Sequence, residues 1–160
     1  MSKEGRIEKV FWSVALPGFG QILNGQFIKG VFFVGLEVLI NVQANLNKVI
    51  IYSFQGNMKA AIENTNYAWL MFYPCLYMFA IWDAYRYAEG EVSPYIFLPF
   101  VFSAYFGTIG VTYSSRLELF GVLLGPVFLP ILFLISGICI GFFIKIIVKY
   151  VKKALTVSCR

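Results

Sequence analysis

Histidine is absent from this 160-residue chain. That absence removes Ser-His-Asp and Cys-His catalysis, His-bearing zinc sites and His-ligated haem together. Charge is scarce as well. Asp, Glu, Lys and Arg make up 13% of the residues, about half of the roughly 25% usual in a soluble domain. Cysteine is limited to Cys75, Cys139 and Cys159, with no CxxC spacing and two of the three inside apolar stretches. The thiols therefore read as small apolar fillers, and neither a disulfide framework nor a metal site is expected. The glycine-rich stretch near residue 20 has no GKS or GKT ending and no strand before it, so it is not a phosphate-cradling loop. No cofactor is expected.

What is present is apolar surface. Hydrophobic residues account for 59% and aromatics for 19%, with a mean hydropathy of +0.75. Such a composition asks for lipid rather than water. The net charge of +5 is not a nucleic-acid footprint, because Lys145, Lys149, Lys152, Lys153 and Arg160 sit at or beyond the end of the last apolar run. Basic residues in that position act as orientation signals favouring the cytoplasmic side.

A spanning helix needs about 20 largely apolar residues. Four runs qualify, roughly 27–44, 67–85, 95–113 and 119–148. The second has Tyr67 and Trp69 at one end and Trp82 and Tyr85 at the other, as suits the headgroup region. Pro126 and Pro130 lie early in the fourth, where a kink or re-entrant start is expected. Residues 10–26 are too short in apolar character to span, and Pro17-Gly18-Phe19-Gly20 breaks any helix there. Glu4 and Glu8 interrupt the basic start and no A-x-A site follows, so this stretch is expected to be retained rather than cleaved.

Charge distribution arbitrates whether residues 10–26 cross. If they re-enter, Lys3, Arg6, Lys9, Lys29, Arg86 and the five C-terminal basic residues share one side, against Lys48, Lys59 and Arg116. If they cross, the two sides are nearly equal. Asymmetry favours re-entry. The expectation is an all-α, polytopic integral membrane protein with about four transmembrane helices and a short re-entrant N-terminal half-helix, placed multi-pass in the cell membrane with both termini cytoplasmic. It is read as a single membrane domain over 1–160, with hairpin units at 9–87 and 93–150. Residues 45–66 between the first two spans fall outside, as a short interfacial helix or as a loop.

The most specific local signal is the stretch Leu16-Pro17-Gly18-Phe19-Gly20-Gln21-Ile22-Leu23-Asn24-Gly25-Gln26-Phe27-Ile28-Lys29-Gly30. Its glycines permit tight turns and close backbone approach. Gln21, Asn24 and Gln26 are expected to satisfy backbone groups that a broken helix exposes at membrane depth. With Ile81-Trp82-Asp83, this stretch resembles the signature of the two-transmembrane-helix domain family. In that family a glycine turn precedes an aromatic/Leu/Gly motif, and a tryptophan-rich second helix ends in aspartate. Gly18, Gly20, Leu23, Gly25 and Gly30 fit the first part. The resemblance covers about residues 9–87 and implies membrane residence with no particular chemistry. The insertion at 45–66 departs from the pattern, and so does Ile22-Leu23-Asn24 in place of the family's polar-aromatic pair. Phe106-Gly107-Thr108-Ile109-Gly110 and Phe120-Gly121-Val122 suggest a diverged second copy.

Charges inside the runs are few. Glu37 lies near the middle of its span, where an ionised side chain costs about 2.5–3.5 kcal/mol. It must therefore face protein or water, or be protonated, and Asn41 follows one turn later on the same face. Asp83, near a helix end with Arg86 three residues on, is expected to reach the interface. These polar residues and Lys29 either pair between helices or form an ion site, and pairing is favoured. Gly121-x-x-x-Gly125 and Gly137-x-x-x-Gly141 are close-approach motifs, for packing within the bundle before oligomerisation. The functional expectation is a non-enzymatic membrane scaffold or accessory subunit, partnered by the bilayer and by a protein or a second copy, not by nucleic acid. A small ion or solute channel or transporter using Glu37 is the rival reading, and a membrane enzyme is a distant third.

Overall fold

The computed structural model describes residues 3–90 and 92–158. The chain is mostly helical, in the order α1 (Lys3–Ala15), α2 (Phe19–Leu23), α3 (Phe27–Gln43), α4 (Leu46–Phe54), α5 (Met58–Asn64), α6 (Tyr67–Leu70), α7 (Tyr73–Tyr87), α8 (Phe97–Tyr113) and α9 (Gly125–Ser158). Two short strands, β1 (Glu118–Leu119) and β2 (Val122–Leu123), pair antiparallel between α8 and α9.

Of the four expected spans, α9 alone is long and apolar enough to cross a membrane unaided. Its stretch Gly125–Leu155 has a mean hydropathy of 2.7, and 11% of its most apolar part is buried. Helices α3 and α4 pass together as a pair bent by 63°. The run 67–85 is broken. Pro74, second in α7, lacks the N–H that a continuing helix would use, so α6 closes and α7 restarts. Helix α8 is apolar but has 17 residues, about 25 Å of helix.

The N-terminal stretch differs from expectation in detail. Helix α1 begins at Lys3 and runs antiparallel along α7, with Arg6 reaching the Ala88 and Glu89 carbonyls and Tyr77 donating to Val14 O. The break falls at residues 16–18, and Phe19-Gly20 opens α2 instead of prolonging the interruption. Residues 45–66 hold two short helices, α4 and α5, the second capped by Asn57 accepting from Ala60 N at 3.1 Å. Ala44, Leu46, Leu70 and Val111 form a small core where α3, α4, α6 and α8 meet.

Helices α8 and α9 form an antiparallel hairpin held by backbone proximity. A Cβ on Gly137 would lie 2.6 Å from Phe102 O and Ser103 Cα, and one on Gly110 would lie 2.8 Å from Pro130 Cα. Gly141 faces Pro99 in the same way. Pro130 sits inside a continuous helix without ending it. Gly137 and Gly141 therefore pack within the bundle. Gly121 and Gly125 do not make a helix-packing pair. Gly121 (φ +77°) turns the β1–β2 hairpin with Phe120 (φ 53°), and a Cβ there would meet nothing. Both central residues at positive φ match the turn that a two-residue hairpin favours. Gly125 opens α9 at φ +69° beside Met58. The two stretches read as a second copy also part company, since 106–110 is mid-helix in α8 and 120–122 is a β-turn. Cys75 and Cys139 are free and exposed, and Cys159 lies outside the described residues.

The exterior is far more apolar than that of a water-soluble domain, around an interior that keeps a hydrophobic core. Ile28 is 90% exposed, and Phe27, Val31, Phe32, Val38 and Val42 of α3 also face outward. Ser13, Gln21, Glu37, Ser53, Asp83, Ser103 and Ser114 are buried along with apolar core residues such as Phe33, Val49, Met78 and Leu129. Isolated exposed apolar residues need no explanation, but a contiguous apolar exterior does.

Candidate functional site

The sequence motifs converge where α2, α3 and α7 meet. Gly18 (φ +110°) crosses the first turn of α3, where a Cβ would lie 2.7 Å from Val34 Cγ2 and would overlap Gly30 O. Gly30 returns the contact, its missing Cβ leaving room for Ile22 Cγ1 at 2.5 Å. Gly20 nests between α1 and α7, where a Cβ would lie 2.5 Å from Lys9 O and 2.7 Å from Ala84 Cβ. Pro17 is fully buried. Gly25 works differently, since it stands at φ +78° with open space around it and needs glycine for its backbone alone.

That close approach delivers α2's amides to α7. Gln21 Nε2 donates to Ala80 O at 2.7 Å and to Asp83 Oδ2 at 3.1 Å. Asn24 Nδ2 donates to Ala84 O at 2.9 Å. The amides thus bind an intact neighbouring helix, not the ends of a broken one. Their own carbonyl oxygens, Gln21 Oε1 and Asn24 Oδ1, are buried with no hydrogen-bond partner in the structure, as is Gln26 Oε1.

Asp83 is covered by protein. It is 3% exposed, and its Oδ1 lies 3.0 Å from Lys29 Nζ. Arg86 instead stacks over Trp82, 5.2 Å from the ring centroid. Lys29 in turn lies 4.2 Å from the Tyr87 ring centroid. A buried carboxylate with a cation on one oxygen and an amide on the other is a satisfied structural pair.

Lys29–Asp83 is one rung of an antiparallel seam between α3 and α7. One turn on, the Phe33 and Phe79 rings lie 6.0 Å apart. A further turn on, Tyr73 Oη donates to Glu37 Oε1 at 3.0 Å. The i, i+4, i+8 spacing on α3 puts all three rungs on one face. Glu37 and Asp83 therefore occupy opposite ends of the seam, about 12 Å apart along the axis, and do not form one site. Asn41 belongs to neither end, since its Nδ2 donates to Asn47 Oδ1 at 3.3 Å. Glu37 Oε2 is buried with no hydrogen-bond partner.

No family model, curated protein or solved structure matches this chain.

Beside the seam lies a cavity of about 280 Å³, lined by Val14, Leu46, Tyr73, Tyr77, Val111 and Pro130 among others. Its two tyrosine hydroxyls are already engaged, with Glu37 and with Val14 O. The remaining wall is apolar, and Glu37 is not part of the lining. Among the described residues no group of three or more Cys, Asp or Glu is placed to hold a metal ion. Sequence reasoning missed Tyr73 as the partner of Glu37, for which a tyrosine in an aromatic-rich run carries no signal. Lys29 and Asp83 were legible as opposite charges in separate apolar runs, but not as a pair.

Proposed function

We propose that this chain is a four-span integral membrane protein acting as a non-enzymatic scaffold or accessory subunit. The observation that carries the reading is the apolar exterior: large apolar side chains of α3 and α9 face outward, and α9 has 11% of its most apolar part buried. A core helix of a soluble domain would be covered by its neighbours, and α9 is not. The ion pair, the amide contacts and the glycine crossings all serve packing, and the cavity beside them offers neither a charge nor a free hydroxyl. The two parts of the two-transmembrane-helix signature touch each other through Gln21–Asp83 and Gly20–Ala84, which supports kinship with that family. The distribution of basic residues supports a cytoplasmic side for both termini.

Glu37 favours a second reading, a small channel or transporter, because one of its oxygens is buried with no hydrogen-bond partner. One pair of measurements separates the two. Purification in mild detergent under the scaffold reading yields a stoichiometric protein partner or a second copy, and vesicles containing the chain carry no proton or cation flux. A flux present in the wild type and lost in Glu37→Gln, with assembly intact, overturns the scaffold reading.

A further inference from the structure

Helix α9 outruns its partner. The stretch Gly125–Leu155 has 31 residues, about 46 Å of helix against a hydrocarbon core of about 30 Å. Gly141 lies against Pro99 in the first turn of α8, so residues beyond it extend past the end of the hairpin's other arm. In that extension Lys145, Lys149, Lys152 and Lys153 recur at helical spacing on one face. The other face carries Phe143, Ile146, Ile147, Tyr150, Val151 and Leu155, all exposed. Helix α9 contains no Asp or Glu. Lys152 Nζ lies 5.9 Å from the Tyr95 ring centroid, which leans the stripe toward the aromatic start of α8.

We propose that this lysine stripe binds the phosphates of anionic lipid headgroups where α9 leaves the bilayer. The inference rests on the membrane reading above and adds the lipid class. Complementarity of charge selects the occupant, since α9 carries lysines and no acid of its own where it meets a surface that supplies dense negative charge. The apolar face selects it over nucleic acid. A duplex would cover the lysines and leave six large apolar side chains in water, whereas a lipid boundary accommodates both faces at once.

The test uses the purified full chain in mild non-ionic detergent, with lipid retention read by native mass spectrometry. Short-chain phosphatidylglycerol is expected to bind at least about tenfold more tightly than phosphatidylcholine, each lysine contributing up to about fivefold. Replacing all four lysines by glutamine brings the ratio close to one, while replacing all four by arginine keeps it. In the wild type the ratio shrinks as salt rises from about 0.05 M to about 0.5 M, a readout independent of how the variants fold. Equal retention of the two lipids by the wild type, or a preference that survives the glutamine replacement, overturns the proposal. Tight binding of a DNA duplex without preference between lipids does so too. Release of the chain from membranes by alkaline carbonate would defeat membrane residence itself. A carbonate-resistant chain with no lipid preference defeats the lysine stripe alone.

Discussion

The Lys29–Asp83 pair is asymmetric, and the asymmetry makes its removal informative. The aspartate side chain is 5% exposed and the lysine side chain 36%. Replacing Lys29 by methionine leaves a buried carboxylate with Gln21 Nε2 as its remaining donor. Uncompensated buried charge of that kind costs about 3–5 kcal/mol. Replacing Asp83 by asparagine leaves the cation, but Lys29 can turn to solvent and keep the Tyr87 ring, so the loss is nearer the worth of one charged hydrogen bond, about 1.5–3 kcal/mol. The double variant carries no charge at the rung and is expected to be more stable than Lys29→Met alone, which requires a coupling larger than the Asp83→Asn loss, at the upper end of the range of about 0.5–3 kcal/mol for residues in contact. For a chain of this size about 2–4 °C of melting temperature corresponds to each kcal/mol. Monodispersity after heating in mild detergent should therefore place Lys29→Met lowest and the double variant between it and the wild type. Equal losses for the two single variants, or losses that simply add, would refute the pairing as described.

Glycine positions give a second contrast. Gly20→Ala drives a Cβ into Lys9 O and Ala84 Cβ and should cost about 1–3 kcal/mol; Gly35→Ala, in helix α3 with nothing within 4 Å, should be neutral or stabilise by up to about 1 kcal/mol. Equal melting temperatures for these two variants would remove the close packing proposed for the turn. Topology is checked by membrane-impermeant thiol labelling of cysteines engineered at positions 5, 57 and 155, after Cys75, Cys139 and Cys159 are replaced by serine, since the first two are free and exposed. Positions 5 and 155 should label from the cytoplasmic side and 57 from the other; opposite labelling of 5 and 155 defeats the four-span arrangement.

Helices α3, α8 and α9 were legible because their apolar runs are long and contain few breakers. Pro74 was visible too, yet its consequence depended on whether neighbouring helices would hold α6 and α7 as separate pieces. Residues 119–124 read as the start of a span because Leu, Phe and Val suit helix and strand alike in so short a run. The backbone at Phe120-Gly121 decided for a hairpin, and Gly121 thereby left the helix face on which a four-residue spacing had placed it.

Composition and spacing alone determined the apolar class of this chain, the exclusion of histidine chemistry and the break at Pro17-Gly18. They did so because hydropathy, residue type and proline geometry act locally. Pairing is different in kind. That Asp83 meets Lys29, that Glu37 meets Tyr73 one end of the seam away, and that Asn41 turns to Asn47 depend on which faces of α3 and α7 come together. No local pattern encodes the rotation of one helix against another. The tertiary structure decided it through the crossings at Gly18, Gly20 and Gly30, where the absence of a side chain lets backbones approach closely enough to bring distant polar groups within hydrogen-bond reach.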